Sequence, residues 1–289
     1  MDGKIMPAIS VFTVLYNDTV NVHDYSDSEV NMDLGISGKK ALVCASSEGL
    51  GKACAISLSQ EGVHVFINGR TLETLQATAK EISDAGGQVT IVQADVSTEA
   101  GRKSLLEACP EPDILINNNA GPNPVGFMQS TQQDWDDAIA ANMMAPIFMI
   151  QAVLSGMRKR KFGRIINITS AMVKSPSPIM CVSSATRTAV TALSKAVSKE
   201  AVMSNVTINN ILPEMFDTGR QQQNAQLIMR FTKVSYDDAR KKLVSRITAG
   251  RMGVPKEFGD TCAFLCSQQA SYMSGQNVQL DGGSYDGLI

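Results

Sequence analysis

From residue 39 onward, short continuous apolar runs alternate with longer stretches in which apolar residues recur at helical spacing. The runs at 41–45, 64–68, 89–94, 114–117, 164–169 and 207–212 have the length of buried strands. Helical spacing marks the segment from Lys52, the segment 72–85 with Leu75, Ala79 and Ile82 on one face, the long segment 132–157 and the segment 183–204. Strands that are apolar throughout and separated by helices predict an α/β fold, a doubly wound parallel sheet with helices on both faces. Ligands of such sheets bind at the carboxyl ends of the strands, near the switch in strand order. Polar and small residues gather at those ends: Asn68-Gly69-Arg70, Asp95-Val96, the run 117–121, Thr169-Ser170 and Pro213-Glu214. A single polar strand end carries no message, because turns favour polar residues. Five of them along one edge of one sheet mark a site.

The link between the first strand and the first helix, 45–51, is a tight turn of small residues. A strand that feeds a helix through such a turn aims the helix's first N–H groups above the sheet, where they suit a phosphate. Gly49 and Gly51 are the positions where a side chain would obstruct a pyrophosphate or the helix–strand contact. A full dinucleotide fingerprint carries three glycines, and Ala45 stands in the first place. The alternative is an ordinary strand–helix turn that uses Gly for its backbone freedom.

Composition narrows the function classes. The 289 residues are 44% hydrophobic and 19% charged, enough for a full globular core. A net charge of −2 gives no electrostatic reason to expect nucleic acid or an anionic membrane as partner. Cys44, Cys54, Cys109, Cys181, Cys262 and Cys266 lie scattered in apolar segments, with no CxxC pair and only two histidines in the chain. This pattern argues against a metal site and for free thiols in a reducing, cytoplasmic setting. Cys262 and Cys266, four apart on an expected helix, read as small buried hydrophobes. Residues 1–33 differ from the rest: the apolar segment 5–16 is interrupted by Pro7 and followed by the acidic stretch 24–29. That segment is too short to span a bilayer and lacks the basic start and cleavage site of a secretory signal. It reads as an extension, mobile or packed at a subunit contact, ahead of one domain at 34–289.

Residues 34–289 resemble the short-chain dehydrogenase/reductase family, and specifically its 3-oxoacyl-(acyl-carrier-protein) reductase-like branch. The resemblance is carried by CASSEGLG at the turn, Asp95-Val96, NNAG at 118–121, Asn142, GRIINITS at 163–170 and the closing GRMGVPKEFGDTCAFLCSQQASYMSGQNVQLDGG. It implies a single-domain Rossmann-type sheet of about seven strands. It also implies a nicotinamide-dependent oxidoreductase that interconverts a ketone and an alcohol. The substrate would be a small carbonyl compound, such as a carrier-bound or polyketide-like one. By the same resemblance, Ser46, Ser47, Glu48, Gly49, Leu50 and Gly51 wrap the pyrophosphate, Asp95 and Val96 cap the adenine, and Asn119, Ala120 and Gly121 run past the nearer ribose. Asn68 and Pro213, at the ends of strands two and six, complete the cofactor set. An NAD-preferring site places an acid at the end of strand two to hold the ribose 2′-hydroxyl. Here Gly69 is followed by Arg70, whose guanidinium suits a 2′-phosphate, while Glu48 opposes one. The balance favours NADP(H) over NAD(H).

The family's chemistry uses a serine for the substrate oxygen, a tyrosine–lysine pair for the proton and an asparagine for a water relay. Ser170 matches the serine and Asn142 the asparagine. Thirteen residues after Ser170 stands Ser183, and four further Arg187, so the family's YxxxK reads SxxxR. A serine hydroxyl is a far weaker acid than a phenol, and an arginine keeps its proton. Lys174, four residues after Ser170, is the titratable side chain nearest in sequence that can substitute; its other reading is a solvated loop lysine beside Ser175 and Pro176. No tyrosine occurs between Tyr25 and Tyr236, and Glu214 replaces the family's glycine after Pro213. The segment 216–251, with Gln221, Gln222, Gln223 and Met229, is the expected substrate lid; in the other reading Leu227, Ile228 and Phe231 are the inner face of a packed helix. Three functions follow: an oxidoreductase with an altered proton donor, the same dinucleotide site diverted to dehydration, isomerisation or cyclisation, or a non-catalytic binding subunit. Small and apolar faces on 138–157 and on the helix after 183, together with the resemblance, lead to an expected homotetramer.

Overall fold

The computed structural model describes residues 32–288, and the expectation for the first 31 residues lies outside them. Seven strands, β1 (Lys40–Val43), β2 (His64–Gly69), β3 (Val89–Gln93), β4 (Ile114–Asn117), β5 (Gly163–Ile168), β6 (Val206–Pro213) and β7 (Asn277–Leu280), form one parallel sheet. Their order is β3-β2-β1-β4-β5-β6-β7, so the direction of winding reverses between β1 and β4. Side chains alternate between two apolar layers. In β1, Ala41 and Val43 face the layer that holds α1 (Gly49–Gln60) and α9 (Pro255–Cys266), while Leu42 faces the layer that holds Met149 and Val153. All six cysteines are free, and Cys54, Cys262 and Cys266 sit together in the first layer.

The strands and α2 (Leu72–Asp84) fall within a few residues of the sequence pattern. Two helices depart from it. α3 (Glu99–Ala108), capped by Thr98, escaped the pattern because its buried face consists of only Gly101 and Leu105. The expected helix 132–157 divides into α4 (Gln132–Ile139), a π turn (Ala140–Met144) and α5 (Ala145–Arg160). Pro146 is the cause: it has no N–H for the carbonyl four residues back, that of Asn142, and its ring crowds that oxygen. The whole segment is long and apolar enough to cross a bilayer, yet its Met149, Val153 and Met157 fill the second core layer.

The segment 216–251 folds as α7 (Gly219–Thr232) and α8 (Tyr236–Val244) around Ala225, Ala239, Leu243, Ile247 and Met252. Arg240 of α8 donates to both carboxylate oxygens of Asp217 at 2.8 Å, which ties α8 to the start of the segment. The inner-face reading fails for two of its residues: Leu227 is 42% and Phe231 85% exposed. Ala225 takes the inner position instead, because α7 and α8 pack closely on a small residue.

Four asparagines stand side by side across β4 to β7. Asn117 pairs in register with Asn167, Asn167 with Asn210, and Asn210 with Asn277. Asn117 Nδ2 donates to Asn167 Oδ1 at 2.8 Å, Asn167 Nδ2 to Asn210 Oδ1 at 3.0 Å, and Asn210 Nδ2 to Asn277 Oδ1 at 2.8 Å. Asn167 Nδ2 also donates to Ser194 Oγ at 2.9 Å, which ties the sheet to α6 (Cys181–Ala201). Each amide in this chain polarises the next, and loss of a middle member strands its buried neighbours. Asn167→Ala is expected to lower stability by about 2–4 kcal/mol. Asn277→Ala, at the exposed end, is expected to cost less than about 1 kcal/mol, because water replaces the lost amide. Urea unfolding of the two variants checks the contrast.

Candidate active site

The turn 45–51 is tied down from three strands. Ser46 Oγ donates to Val43 O at 2.7 Å and accepts from Asn68 N at 2.9 Å. Asn68 Oδ1 accepts from Ala45 N at 3.2 Å, and its Nδ2 donates to Val92 O at 3.1 Å and Ala94 O at 2.8 Å. Asn118 Nδ2 donates to Ala45 O at 2.9 Å. Ser46 and Asn68, both buried, therefore lie beneath the turn and shape it, with their side-chain polar groups engaged by protein. Ala45 takes the left-handed conformation (φ 44°) at the first glycine place of the fingerprint. A Cβ at Gly51 would stand 2.4 Å from Ala45 O, so no side chain fits there, whereas nothing lies within 4 Å of a Cβ at Gly49. The result is a rigid turn with open backbone above Gly49, the cradle that a pyrophosphate needs. Ser47 carries the link to α2, its carbonyl accepting from Thr78 Oγ1 at 2.8 Å. Glu48 and Arg70 are both exposed, and Leu50 packs on the core. Asp95 Oδ1 accepts from Ser97 N at 2.9 Å and Ser97 Oγ at 2.6 Å, which holds the loop after β3 beside the buried Val96.

At the switch point, Val96, Asn119, Asn142 and Arg187 line one cleft with Cys44, Asn117 and Asn167. The π turn shapes this cleft. Asn119 Nδ2 donates to Ala141 O at 3.3 Å, and Asn142 Nδ2 donates to Ala120 O at 3.2 Å, locking the loop after β4 to the turn. Asn142 Oδ1 is buried without a hydrogen-bond partner, an acceptor ready for a ligand or a water. Burial pushes the Cys44 thiol up to about 12, so it is not a nucleophile at neutral pH.

Arg187 is 9% exposed on α6. Its Nε donates to Ser183 Oγ at 3.3 Å, and its Nη1 to Ile168 O at 2.8 Å and Thr169 O at 3.1 Å. Desolvation, then the Arg220 charge, brings its guanidinium down to about 10, so it stays a cation at neutral pH. Ser183 is buried and reaches the cleft only through Arg187. Ser170 lies on the loop after β5, where its Oγ accepts from Met172 N at 3.1 Å and keeps its own proton to donate. Gly121 lies within the loop after β4, and Pro213 ends β6.

Three residues here, Tyr285, Arg220 and Asn167, were not singled out from the sequence. The Lys174 ammonium lies over the ring of Tyr285, 5.3 Å from its centroid, which brings a phenol to the loop after β5 from the far end of the chain. Arg220 donates to Pro122 O at 2.9 Å. Asn117 and Asn167 wall the cleft from below. At the end of β6, burial and the neighbouring Asp281 raise the Glu214 carboxyl above the usual carboxylate range. Among the described residues no group of three or more His, Cys, Asp and Glu side chains is arranged to hold a metal.

The profile of the short chain dehydrogenases matches residues 39–227. An NADPH-dependent reductase, BacG of Bacillus subtilis (strain 168), is 31% identical over 255 residues, covering 86% of this chain and 98% of the relative. The 3-oxoacyl-[acyl-carrier-protein] reductase FabG of Vibrio harveyi is 30% identical over 253 residues, covering 87% and 99%. Among solved structures, L-sorbose reductase from Gluconobacter frateurii, complexed with NADPH and L-sorbose, superposes with a TM-score of 0.85 at 27% identity, covering 89% of this chain and 100% of that one. The braced glycine turn, the parallel sheet with its reversal at β1 and β4, and these full-length matches agree: the chain is a nicotinamide-dependent oxidoreductase fold of the short chain dehydrogenase family, to which it belongs.

Proposed function

We propose that this protein is an NADP(H)-dependent oxidoreductase of the ketoreductase type, acting on a small carbonyl compound with a proton donor other than the family's phenol. The observation that carries the reading is that the braced, open turn and the polar cleft meet at one switch point. When bound, the nicotinamide supplies or accepts a hydride. The turn 46–51 would hold the pyrophosphate through its backbone, Asp95 and Val96 the adenine, 119–121 the nearer ribose, and Arg70 a 2′-phosphate. The names of two relatives, which specify NADPH and a 3-oxoacyl carrier-protein substrate, support this assignment.

Ser183 and Arg187 stand in the places of the family's tyrosine and lysine. Arg187 holds a fixed positive charge beside the cleft and does not release its proton. The Ser170 hydroxyl donates to the substrate oxygen, and Asn142 Oδ1 holds a water in the cleft. Lys174 supplies the proton to the oxygen during reduction and recovers it from solvent, with the Tyr285 ring steadying its ammonium. The lid 216–251 closes over the substrate. The chain works in the cytoplasm as a homotetramer, a reading supported by the exposed Phe148 on α5 and by the family resemblance. A second reading, the same site diverted to dehydration, isomerisation or cyclisation, is favoured by one observation: Ser183, in the tyrosine's place, is a buried short hydroxyl that accepts from Arg187.

Calorimetric titration is expected to show NADPH binding more tightly than NADH. Arg70→Ala is expected to weaken NADPH by about tenfold, the worth of one charge-assisted bond, and to leave NADH unchanged; tighter NADH binding to the parent would assign the choice to Glu48. Turnover is measured as NADPH consumption with a panel of ketones and oxoacyl thioesters, and no consumption with any of them sinks the redox reading. Lys174→Ala is expected to lower kcat by about 10²–10⁴-fold with NADPH affinity kept. Tyr285→Leu is expected to lower kcat by about two- to fivefold, while Tyr285→Phe, which keeps the ring face, stays near the parent. A large loss in Tyr285→Phe would make the phenol itself the donor, and a larger loss in Asn142→Ala would make it the water.

A further inference from the structure

Two guanidinium groups approach the segment Gly121-Pro122 from different helices. Arg187 comes from α6: a Cβ on Gly121 would stand 3.2 Å from its Nη2, and that nitrogen makes no hydrogen bond to a described residue. Arg220 comes from the first turn of α7 and donates to Pro122 O at 2.9 Å. The two charges are close enough for Arg220 to disfavour the cationic form of Arg187. Neither forms an ion pair with a described carboxylate, whereas Arg160, Arg240 and Arg251 do; Arg164, buried and likewise unpaired, has all three of its nitrogens on protein oxygens, and Arg187 Nη2 does not. At the ends of β6 and β7, burial and the neighbouring Asp281 act on Glu214, and no described carboxylate is salt-bridged to either arginine.

A buried guanidinium held only by neutral carbonyls and a hydroxyl lacks the counter-charge that normally offsets its desolvation. A second cation beside it deepens the deficit. Both arginines offer a planar fork of donors, and that fork matches a carboxylate. The place matters as well: Gly121 and Pro122 continue the loop after β4, which Asn142 holds beside the cleft through Ala120 O.

We infer that Arg187 and Arg220 form an anion-binding subsite that takes a carboxylate carried by the substrate, so that the substrate is an oxo acid. The oxo-acid class rests on the oxidoreductase reading above, whereas the subsite itself does not. The carboxylate bridges both arginines, offsets one of their two charges and draws α7, at the front of the lid, toward α6.

Binding and turnover separate the two. With the full chain saturated in NADP⁺, calorimetry compares phenylacetate with phenylacetamide, neither of which has a reducible ketone. Phenylacetate is expected to bind about 10- to 100-fold more tightly, the range for a hydrogen-bonded charge pair. Arg220→Gln is expected to remove most of that preference while NADP⁺ affinity stays within about twofold, the mark of a contact made to substrate and not to cofactor. Arg187→Gln is expected to lower the preference for phenylacetate as well, and circular dichroism checks its fold; if it fails to fold, Arg220→Gln alone decides. In turnover, benzoylformate should show a lower KM than its methyl ester by the same factor. Equal binding of acid and amide overturns the subsite, and so does a loss in Arg220→Gln that falls on NADP⁺ instead of phenylacetate. Should neither benzoylformate nor its ester consume NADPH while the arginine-dependent preference for phenylacetate persists, the subsite stands and the redox reading falls.

Discussion

The row of asparagines across β4, β5, β6 and β7 is the constraint on which the site depends. Its amides run donor to acceptor through the interior of the sheet, so each is satisfied only when the four strands keep one register. Apolar strands buried on both faces have little else to set register, because a shifted Ile or Val remains buried. The polar row supplies that specificity and aligns the carboxyl ends where Asn117, Asn167 and Thr169 wall the cleft. Through Ser194 it also docks α6, two turns beyond Arg187. The guanidinium then meets the carbonyls of Ile168 and Thr169 at the end of β5.

A second brace works on the other side of the switch point. Ser46, Asn68 and Asn118 hold the turn after β1 from below, and Ala45 accepts a left-handed backbone within it. These hydrogen bonds leave the outer surface of the turn free, so its first helical N–H groups can serve an anion at little reorganisation cost. Between the two braces the π turn at Asn142 presents an unpartnered acceptor. Pre-organisation of this kind suits a site that must hold a large cofactor and a small substrate in fixed relation.

Electrostatics divides the cleft. Arg187 and Arg220 make the side near Gly121 cationic, while Glu214 and Asp281 cluster at the ends of β6 and β7. Lys174 stands on the loop after β5 with its ammonium over Tyr285.

Much of the fold was legible in the chain alone. Apolar runs with no polar alternation located the strands, and their separation by helices required a parallel, doubly wound sheet with its site at one edge. The glycine turn was legible because close backbone approach excludes side chains, as the contact between a Cβ at Gly51 and Ala45 O demonstrates. Local pattern misjudged α3, whose buried face is small, and ran through Pro146, whose effect on the carbonyl of Asn142 is a matter of three-dimensional crowding. That the side chains of Ser46 and Asn68 brace the turn from below was not legible either, because a polar residue at a strand end looks the same whether it faces a ligand or braces a turn. Tertiary structure decided the rest: the asparagine row joins residues 43 to 67 positions apart, and Tyr285 reaches Lys174 across more than a third of the chain. Backbone periodicity records which side of an element is buried, whereas a hydrogen bond between distant side chains exists only once the strands that carry them lie side by side.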